Sequence, residues 1–368
     1  MSRLHLVIAD KDKYYLHSFV DYLTGFCPQR FRIVSFTEAP DLCEYLEKNG
    51  ARVDILLLGT EYLEHIPENV NTSALIVLQA DNSPSPGSDK KVISKYQRGD
   101  KIVSRMLEIY SGCNPHAHYL SDGSKKTRVI AVYSPVGGVG KTTIAAGASI
   151  QSAWEGKTIF YLNLEEIPST GLFFEGEQEQ NLSSILYHLR HGTKDPAVLL
   201  ETARAVDPEY NIHFFKPPDS VLDLKEKLGA ELKSLVRELN KTGHYDRVFI
   251  DMSSCLDQNN LAVLEACDDI LVICSQEPAA CLKINALVRE FESLGRGKDL
   301  CLLDKTCFVL NKYEHYEGSE LENANIGGKS IMLKVPKIPN IIVPYGHKYR
   351  LDMNSEFGSA VYRLTLRF

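Results

Sequence analysis

The stretch RVIAVYSPVGGVGKTTIAAGASI, from Arg128 to Ile150, decides the fold of the second half of the chain. It opens with a β-branched apolar run, continues as a glycine-rich turn and ends in an alanine-rich run. A glycine turn between a buried strand and a helix directs consecutive backbone N–H groups and the helix N-terminus at one point, where phosphate binds. The spacing of Gly140, Lys141 and Thr142 behind the strand favours a phosphate site over an empty glycine-rich turn.

The residues of this loop have separate expected roles. Lys141 is expected to reach the β and γ phosphates of a nucleotide, and the Thr142 hydroxyl is expected to hold Mg²⁺. The sequence therefore predicts a nucleotide with Mg²⁺ as the ligand. The loop residues expected to contact the nucleotide are Gly137, Gly138, Val139, Gly140, Lys141, Thr142 and Thr143.

The bulk composition excludes several classes of protein. A chain of 368 residues exceeds the size at which one hydrophobic core stops growing, so two domains are expected. The formal net charge of -7 argues against strong nucleic-acid binding, which needs a concentration of Lys and Arg. The nine cysteines lack a Cys-x-x-Cys pair, as is typical of reduced thiols in a cytoplasm. No apolar stretch approaches the ~20 residues of a membrane span, so a cytoplasmic protein without a transmembrane segment is expected.

A polar stretch divides two sets of alternating strand and helix patterns. The stretch SGCNPHAHYLSDGSKKT, residues 111–127, is rich in Gly, Pro, Asn and Ser and lacks an apolar period, which predicts an interdomain linker at 113–127 between domains at 1–112 and 128–368. Before the linker, short β-branched runs alternate with polar stretches of helical length, and DNSPSPGSDKK is expected to be a mobile loop. The predicted fold class is α/β, with two doubly wound parallel-sheet domains. The four runs are LHLVIAD, FRIVSFT, VDILLLG and ALIVLQA.

Polar side chains end the apolar runs of the second domain. TIFYLNLEE ends near Asn163 and Glu165, and YDRVFIDMSS closes on Asp251. Ligands of open parallel sheets bind at the carboxyl ends of the strands, so these side chains are expected near the loop. An acid that ends a buried strand needs a partner, and Asp251 is expected to order Mg²⁺ through water. Thr142 and Asp251 are thus the predicted metal-site residues.

The first domain resembles the receiver domains of two-component signalling. Asp10 matches the acidic residue at the end of the first strand, and Lys95 matches the basic residue after the fifth. Lys11 stands in place of the second acid, Gly59 in place of the phosphate-accepting Asp, and Gln79 in place of the usual Thr or Ser. Phosphoryl transfer to this domain needs a carboxylate nucleophile, which is absent. The domain is expected to serve as an interaction or dimerisation surface, with Asp10 as a hydrogen-bonding residue.

The chain from about Arg128 onward resembles the ParA/MinD class of P-loop ATPases, which implies ATP or ADP as the nucleotide. The resemblance assigns Glu165 to positioning the attacking water, with Lys141 as the second catalytic residue. It assigns Asn311 to reading the adenine and places Pro344, in VPYGH, beside the base. The signature lysine of that class would sit at Val136 and is missing, so ATP hydrolysis is expected to be weak or partner-dependent.

A receiver-like domain fused ahead of such an ATPase resembles the TadZ/CpaE group of pilus-assembly localisation proteins. The resemblance implies an ATP-binding localisation or assembly factor for a type IV (Flp, tight-adherence) pilus secretion machine. It further implies an ATP-dependent homodimer, partners among pilus or secretion proteins at the inner membrane, and recruitment to a cell pole or the inner-membrane face.

Several alternatives stay open at this point. The main alternative function is a DNA- or plasmid-partitioning ATPase of the ParA type. A third hypothesis is a transcriptional response regulator, which Gly59 disfavours because it removes the phosphate acceptor. Glu165 is weighed evenly between a catalytic carboxylate and a solvated one. The C-terminal EFGSAVYRLTLRF is read as a packed final helix in preference to an amphipathic membrane helix.

Overall fold

The structure, a computed structural model, describes residues 4–26, 31–48, 53–67, 70–80, 91–113, 126–192, 196–296, 301–315, 325–346 and 348–368. The chain divides into two compact units, residues 1–120 and 121–368. The predicted loop at 81–90 and most of the predicted linker, residues 114–125, lie outside the described residues.

The first unit is built on a parallel five-stranded sheet with the strand order β2-β1-β3-β4-β5. Residues of β1 alternate between two cores: Leu6 and Ile8 pack on one face, and Val7 and Ala9 on the other. Helices cover both faces, so the unit is doubly wound as predicted. Its elements are β1 (Leu4–Ala9), α1 (Lys13–Phe26), β2 (Phe31–Phe36), α2 (Ala39–Lys48), β3 (Val53–Gly59), β4 (Thr72–Gln79), β5 (Lys91–Ser94) and α3 (Gly99–Cys113).

One crossover of the first unit differs from the expectation of a helix after every strand. Between β3 and β4 the described residues form a single 3-10 turn, Thr60–Tyr62, and no α-helix. The Tyr62 side chain is buried and its hydroxyl donates a hydrogen bond to the Thr37 carbonyl over 2.7 Å. One large aromatic side chain thus covers sheet surface that a longer helix would otherwise cover.

The second unit contains a larger sheet, with the order β13-β14-β12-β11-β6-β10-β7-β9-β8 in the part of the chain that the structure describes. Its elements are β6 (Arg128–Tyr133), α4 (Lys141–Trp154), β7 (Ile159–Leu164), α5 (Leu182–His191), α6 (Pro196–Ala203), β8 (Arg204–Val206), β9 (His213–Phe215), α7 (Gly229–Lys241), β10 (Arg247–Met252), α8 (Gln258–Ala266), β11 (Asp269–Cys274), α9 (Pro278–Gly295), β12 (Thr306–Tyr313), β13 (Asn325–Ile326), β14 (Lys329–Pro336), β15 (Ile342–Tyr345), β16 (Lys348–Leu351) and α10 (Glu356–Thr365).

In the described part of the chain the sheet is parallel from β14 to β9, as predicted, and antiparallel at its edges. The antiparallel pairs are the short strands β8 with β9 and β13 with β14, and β15 and β16 form a separate antiparallel hairpin. The chain leaves β6 toward β7 on one side and returns to β11 on the other. A ligand site is expected at this reversal, beyond the carboxyl ends of the strands.

The C-terminal residues form a packed helix, in agreement with the first of the two readings. Phe357, Val361 and Leu364 of α10 are buried. A Cβ on Gly147 of α4 would lie 3.0 Å from the Phe357 ring, so glycine permits the close approach of the two helices. Among the described residues, no helix is long and apolar enough to cross a membrane.

Candidate functional site

The glycine turn joins β6 to α4 in the predicted place. Gly138 and Gly140 have φ values of 72° and 93°, in the left-handed region where a Cβ is disfavoured. A side chain at position 140 would also clash with its surroundings, because a Cβ there would lie 2.4 Å from the Asn311 amide nitrogen. Lys141 is the first residue of α4, so the helix N-terminus and the turn open toward the same point.

Lys141 is held at the edge of the site by a serine of the β10 end. Its Nζ donates a hydrogen bond to Ser254 Oγ over 2.6 Å, and Ser254 Oγ in turn donates to the Val136 carbonyl over 3.2 Å. Burial lowers the pKa of the Lys141 ammonium, while the carboxylates of Asp251 and Glu165 raise it. Ser254 therefore fixes the lysine against the loop with one polar contact, which a nucleotide phosphate could replace.

Strand register brings Asp251 beside the loop. β10 lies between β6 and β7, where Asp251 pairs with Val132 on one side and with Asn163 on the other. Asp251 is fully buried, and its Oδ2 accepts a hydrogen bond from the Tyr161 hydroxyl over 2.9 Å. Its Oδ1 is buried and has no hydrogen-bond partner within the described residues. Burial raises the pKa of Asp251 to about 7 and the charge of Glu165 adds to the rise, while the Thr142 and Tyr161 hydroxyls and the Lys141 ammonium lower it.

Glu165 connects the loop to the segment that follows β7. Its Oε1 accepts a hydrogen bond from the Thr142 hydroxyl over 3.0 Å. Its Oε2 accepts from Asn163 Nδ2 over 3.1 Å, and from both the backbone N–H and the hydroxyl of Ser169. Glu165 is half-buried and accepts hydrogen bonds from three residues. The catalytic assignment of Glu165 stays a prediction.

Asn311 and Lys312, near the end of β12, also contact the glycine turn. Asn311 Nδ2 donates a hydrogen bond to the Val139 carbonyl over 2.7 Å, and Lys312 Nζ donates to the Gly138 carbonyl over the same distance. The structure thus gives the buried Asn311 amide a contact with the loop, and its expected contact with adenine stays a prediction.

Pro344 lies in the β15–β16 hairpin, where it pairs with Tyr349, and both side chains are exposed. The hairpin is anchored through Lys348, whose Nζ contacts Asp207 over 3.2 Å and Glu209 over 2.9 Å. These ion pairs hold the hairpin in one place, and the predicted position of Pro344 beside a base remains a prediction.

The residues around Asp251 fit a Mg²⁺ ion that is completed by nucleotide phosphates. A hard cation takes oxygen ligands, and the unpaired buried Oδ1 of Asp251 and the Thr142 hydroxyl are such oxygens. Among the described residues, no group of three or more His, Cys, Asp or Glu side chains could hold a metal on its own.

A surface groove of about 570 Å³ lies elsewhere in the second unit. None of the site residues predicted from the sequence lines this groove, so it is separate from the phosphate loop. Its lining residues are Gln151, Pro336, Met353, Glu356, Gly358, Ser359, Tyr362 and Arg363.

The first unit carries its own buried charge pair. Lys95 Nζ donates a hydrogen bond to Asp10 Oδ1 over 2.7 Å, and the Asp12 backbone N–H donates to the same oxygen over 2.8 Å. Burial raises the pKa of Asp10, and the bond from Lys95 lowers it. A Cβ on Gly59 would lie 2.8 Å from the Glu61 carboxylate, so Glu61 fills the space that a side chain at Gly59 would need. Asp10 is a hydrogen-bonding residue, as expected.

The second unit has the fold of the ParA and MinD ATPases. It superposes on a ParA family ATPase from Chlorobium tepidum TLS with a TM-score of 0.50 and 16% identity, over 66% of this chain and 93% of that one. It superposes on the MinC:MinD cell division protein complex of Aquifex aeolicus with a TM-score of 0.51 and 17% identity, over 66% and 95%. Residues 127–299 match the family model described as an AAA domain. No curated protein matches the sequence.

Sequence reasoning assigned no role in the site to four of its residues: Tyr161, Ser169, Ser254 and Lys312. Only Tyr161 carried a usable signal, because a tyrosine in the middle of a buried strand needs a hydrogen-bond partner and Asp251 ends the neighbouring strand. Ser254 contacts Lys141 and Ser169 contacts Glu165 because of the conformation of their loops, which the sequence pattern does not indicate.

Proposed function

We propose that the second unit binds ATP, or ADP, together with Mg²⁺ at the loop between β6 and α4. The observation that carries the proposal is the fully buried carboxylate of Asp251, whose Oδ1 has no hydrogen-bond partner among the described residues and whose pKa is raised by burial and lowered by the nearby Thr142 hydroxyl and Lys141 ammonium at the start of α4. A buried carboxylate oxygen without a partner is costly, and a cation held by phosphates would supply one.

Each side chain has a defined part in binding. Lys141 exchanges its bond to Ser254 for the β and γ phosphates, and backbone N–H groups of the loop donate to the phosphate oxygens. Thr142 and Asp251 hold Mg²⁺, which neutralises phosphate charge when bound. Asn311 and Pro344 border the base, and Thr143 follows in the first turn of α4.

ATP hydrolysis by this site is slow or needs a partner. Position 136 of the loop is a buried valine that packs in the core, so no ammonium group extends from it. The carboxylate of Glu165 accepts hydrogen bonds from Thr142, Asn163 and Ser169, which restrict its freedom to position a water. A missing cation at a phosphoryl-transfer site lowers the rate by about 10³-fold or more.

In the cell, the chain acts as a TadZ/CpaE-type localisation or assembly factor for a type IV pilus secretion machine. Residues 1–112 serve as a receiver-like interaction domain, residues 113–127 as the linker, and 128–368 as the ATP-binding domain. The protein works as an ATP-dependent homodimer in the cytoplasm and is recruited to a cell pole or to the inner-membrane face by pilus proteins. The pairing of Asp10 with Lys95 and the glycine at position 59 support a first domain that no longer accepts phosphate.

A partitioning ATPase of the ParA type is the second candidate, and the ParA fold of the second unit supports it. The two candidates differ in DNA binding, because a partitioning ATPase in its ATP state is retained on non-specific DNA and released by salt. With a net charge of -7, this protein is expected to pass through such a column with or without ATP. Salt-dependent retention with ATP would favour the partitioning candidate.

Sedimentation and phosphate release test the rest of the proposal. ATP and Mg²⁺ should shift the full chain toward a dimer, and steady-state phosphate release should stay well below an ordinary ATPase at ~10 s⁻¹. An unchanged sedimentation profile would count against the ATP-dependent dimer. Phosphate release at an ordinary ATPase rate would count against slow ATP hydrolysis at this site.

A further inference from the structure

Lys312 has an unusual backbone conformation beside the phosphate loop. Its φ is 54°, in the left-handed region that a residue with a Cβ rarely adopts. The other non-glycine residues with positive φ in the described part of the chain are Asn211 and Asn340, and asparagine tolerates this conformation. A strained residue of this kind persists where its surroundings fix it, and such residues cluster at functional sites.

The side chain of Lys312 reaches the loop. Its ammonium group donates a hydrogen bond to the Gly138 carbonyl over 2.7 Å, and the neighbouring Asn311 amide donates to the Val139 carbonyl over 2.7 Å. Two consecutive loop carbonyls are therefore bound by two consecutive residues from the end of β12. The loop itself, residues 134–143, contains a single lysine, Lys141.

Peptide geometry links these two contacts to the opposite side of the loop. The carbonyl of Gly138 and the N–H of Val139 belong to one planar trans peptide, so they point in opposite directions. The same holds for the Val139 carbonyl and the Gly140 N–H. Fixing both carbonyls toward β12 therefore fixes both N–H groups away from β12.

We infer that Lys312 is a positioning residue for nucleotide binding, which holds the Gly138 carbonyl so that the Val139 N–H faces the phosphates. Its charge also adds to the attraction of the site for an anion. This inference rests on the proposed nucleotide site, and it concerns a residue outside the loop that binds no phosphate itself.

The test compares two variants of Lys312 with a matched lysine variant. Lys312→Asn removes the ammonium group and keeps a residue that accepts positive φ, so the backbone should not be destabilised. Lys312→Arg keeps a cation that can reach the same carbonyl. Lys337→Asn removes the same charge from an exposed lysine that pairs with Glu314 over 3.0 Å. Calorimetric titration of the full chain with ATP and with ADP, at low and high salt, gives the affinities.

We expect Lys312→Asn to weaken ATP binding about 5- to 10-fold, the effect of one partly exposed charged hydrogen bond. ADP binding should weaken less, because ADP carries less charge, and high salt should reduce the difference. Lys312→Arg should restore most of the affinity, and Lys337→Asn should change nothing. Equal ATP affinity of Lys312→Asn and the unmodified chain would overturn the inference.

A second measurement without nucleotide separates this inference from the proposed function. Backbone ¹⁵N relaxation should show larger fast motions of the Val139 and Gly140 amides in Lys312→Asn than in the unmodified chain. If the unmodified chain binds no nucleotide, the proposed function fails, and the relaxation measurement alone then tests whether Lys312 fixes the loop. In that case increased motion of the two amides would support the hold of Lys312 on the loop, and unchanged motion would overturn it.

Discussion

Replacing Asp251 by asparagine should stabilise the second unit at neutral and alkaline pH in the absence of metal. Asp251 is fully buried, and its Oδ1 has no hydrogen-bond partner among the described residues. Burial, with the charge of Glu165, raises the pKa of Asp251 from 3.8 to about 7. The carboxylate therefore holds a proton in the folded state over a pH range in which the unfolded chain has released it.

The sign of the effect follows from proton linkage. Between about pH 4 and about pH 7 the unfolded state binds fewer protons than the folded state, so the free energy of unfolding falls as pH rises. The stability that the protonated Asp251 gives the folded state is fully present below about pH 4 and is lost above about pH 7. A shift of about 3 pKa units at about 1.4 kcal/mol each corresponds to about 4 kcal/mol. The asparagine variant does not ionise and avoids this loss.

Urea unfolding in the presence of a chelator measures the effect. The single tryptophan, Trp154, closes α4, so its fluorescence reports on the second unit. The stability gain of Asp251→Asn over the unmodified chain should grow by about 3 kcal/mol between about pH 5 and about pH 8. A gain that does not change with pH, or a variant that is less stable at the higher pH, would refute the reasoning.

Asp207→Asn is the matched control. Asp207 is also fully buried, but both of its oxygens have partners, among them the Lys348 ammonium at 3.2 Å. Its replacement should destabilise the unit by about 3 kcal/mol at neutral pH, because it leaves a buried lysine without this partner. The backbone N–H groups that also donate to Asp207 are those of Glu175, Glu209 and Tyr210.

Three further variants test the loop and the expected catalytic carboxylate. Gly140→Ala places a Cβ 2.4 Å from the Asn311 amide at a φ of 93° and should cost about 1 to 3 kcal/mol in urea unfolding. Gly137→Ala, with no atom within 4 Å of its Cβ, should be neutral, and an equal cost for both would contradict this account. Glu165→Gln should leave ATP affinity within about twofold and lower phosphate release about tenfold or more. Unchanged release would assign Glu165 a structural role alone, as the hydrogen-bond acceptor for Thr142, Asn163 and Ser169.

The main strands and the phosphate loop could be predicted from the sequence, and the details of their surroundings could not. Apolar β-branched runs predicted β1 to β4 of the first unit and β6, β7 and β10 of the second, because a buried parallel strand needs such a run. Strands such as β8 and β13, with three and two residues, are too short to show a period. Their pairing depends on the neighbouring strand, which the local sequence does not specify.

The residues of the site likewise divide into those that the sequence predicts and those that it does not. Lys141, Thr142 and Asp251 were predictable, because the loop motif and a strand-end acid are sequence patterns that backbone geometry brings together. The bonds of Ser254 to Lys141 and of Lys312 to Gly138 depend on side-chain reach across the fold. No periodicity or spacing in the sequence indicates them.

Calorimetric titration of the nucleotide-free full chain with ATP and Mg²⁺ tests the central claim most directly. We expect one ATP per chain with a dissociation constant well below millimolar, and loss of this binding in Lys141→Met, whose side chain matches in length without the ammonium group. A hydrogen bond from an ammonium group to phosphate is worth several kcal/mol, so its removal should weaken ATP binding about 100-fold or more. No heat of binding at millimolar ATP, in a preparation shown to be folded and free of bound nucleotide, would contradict the account.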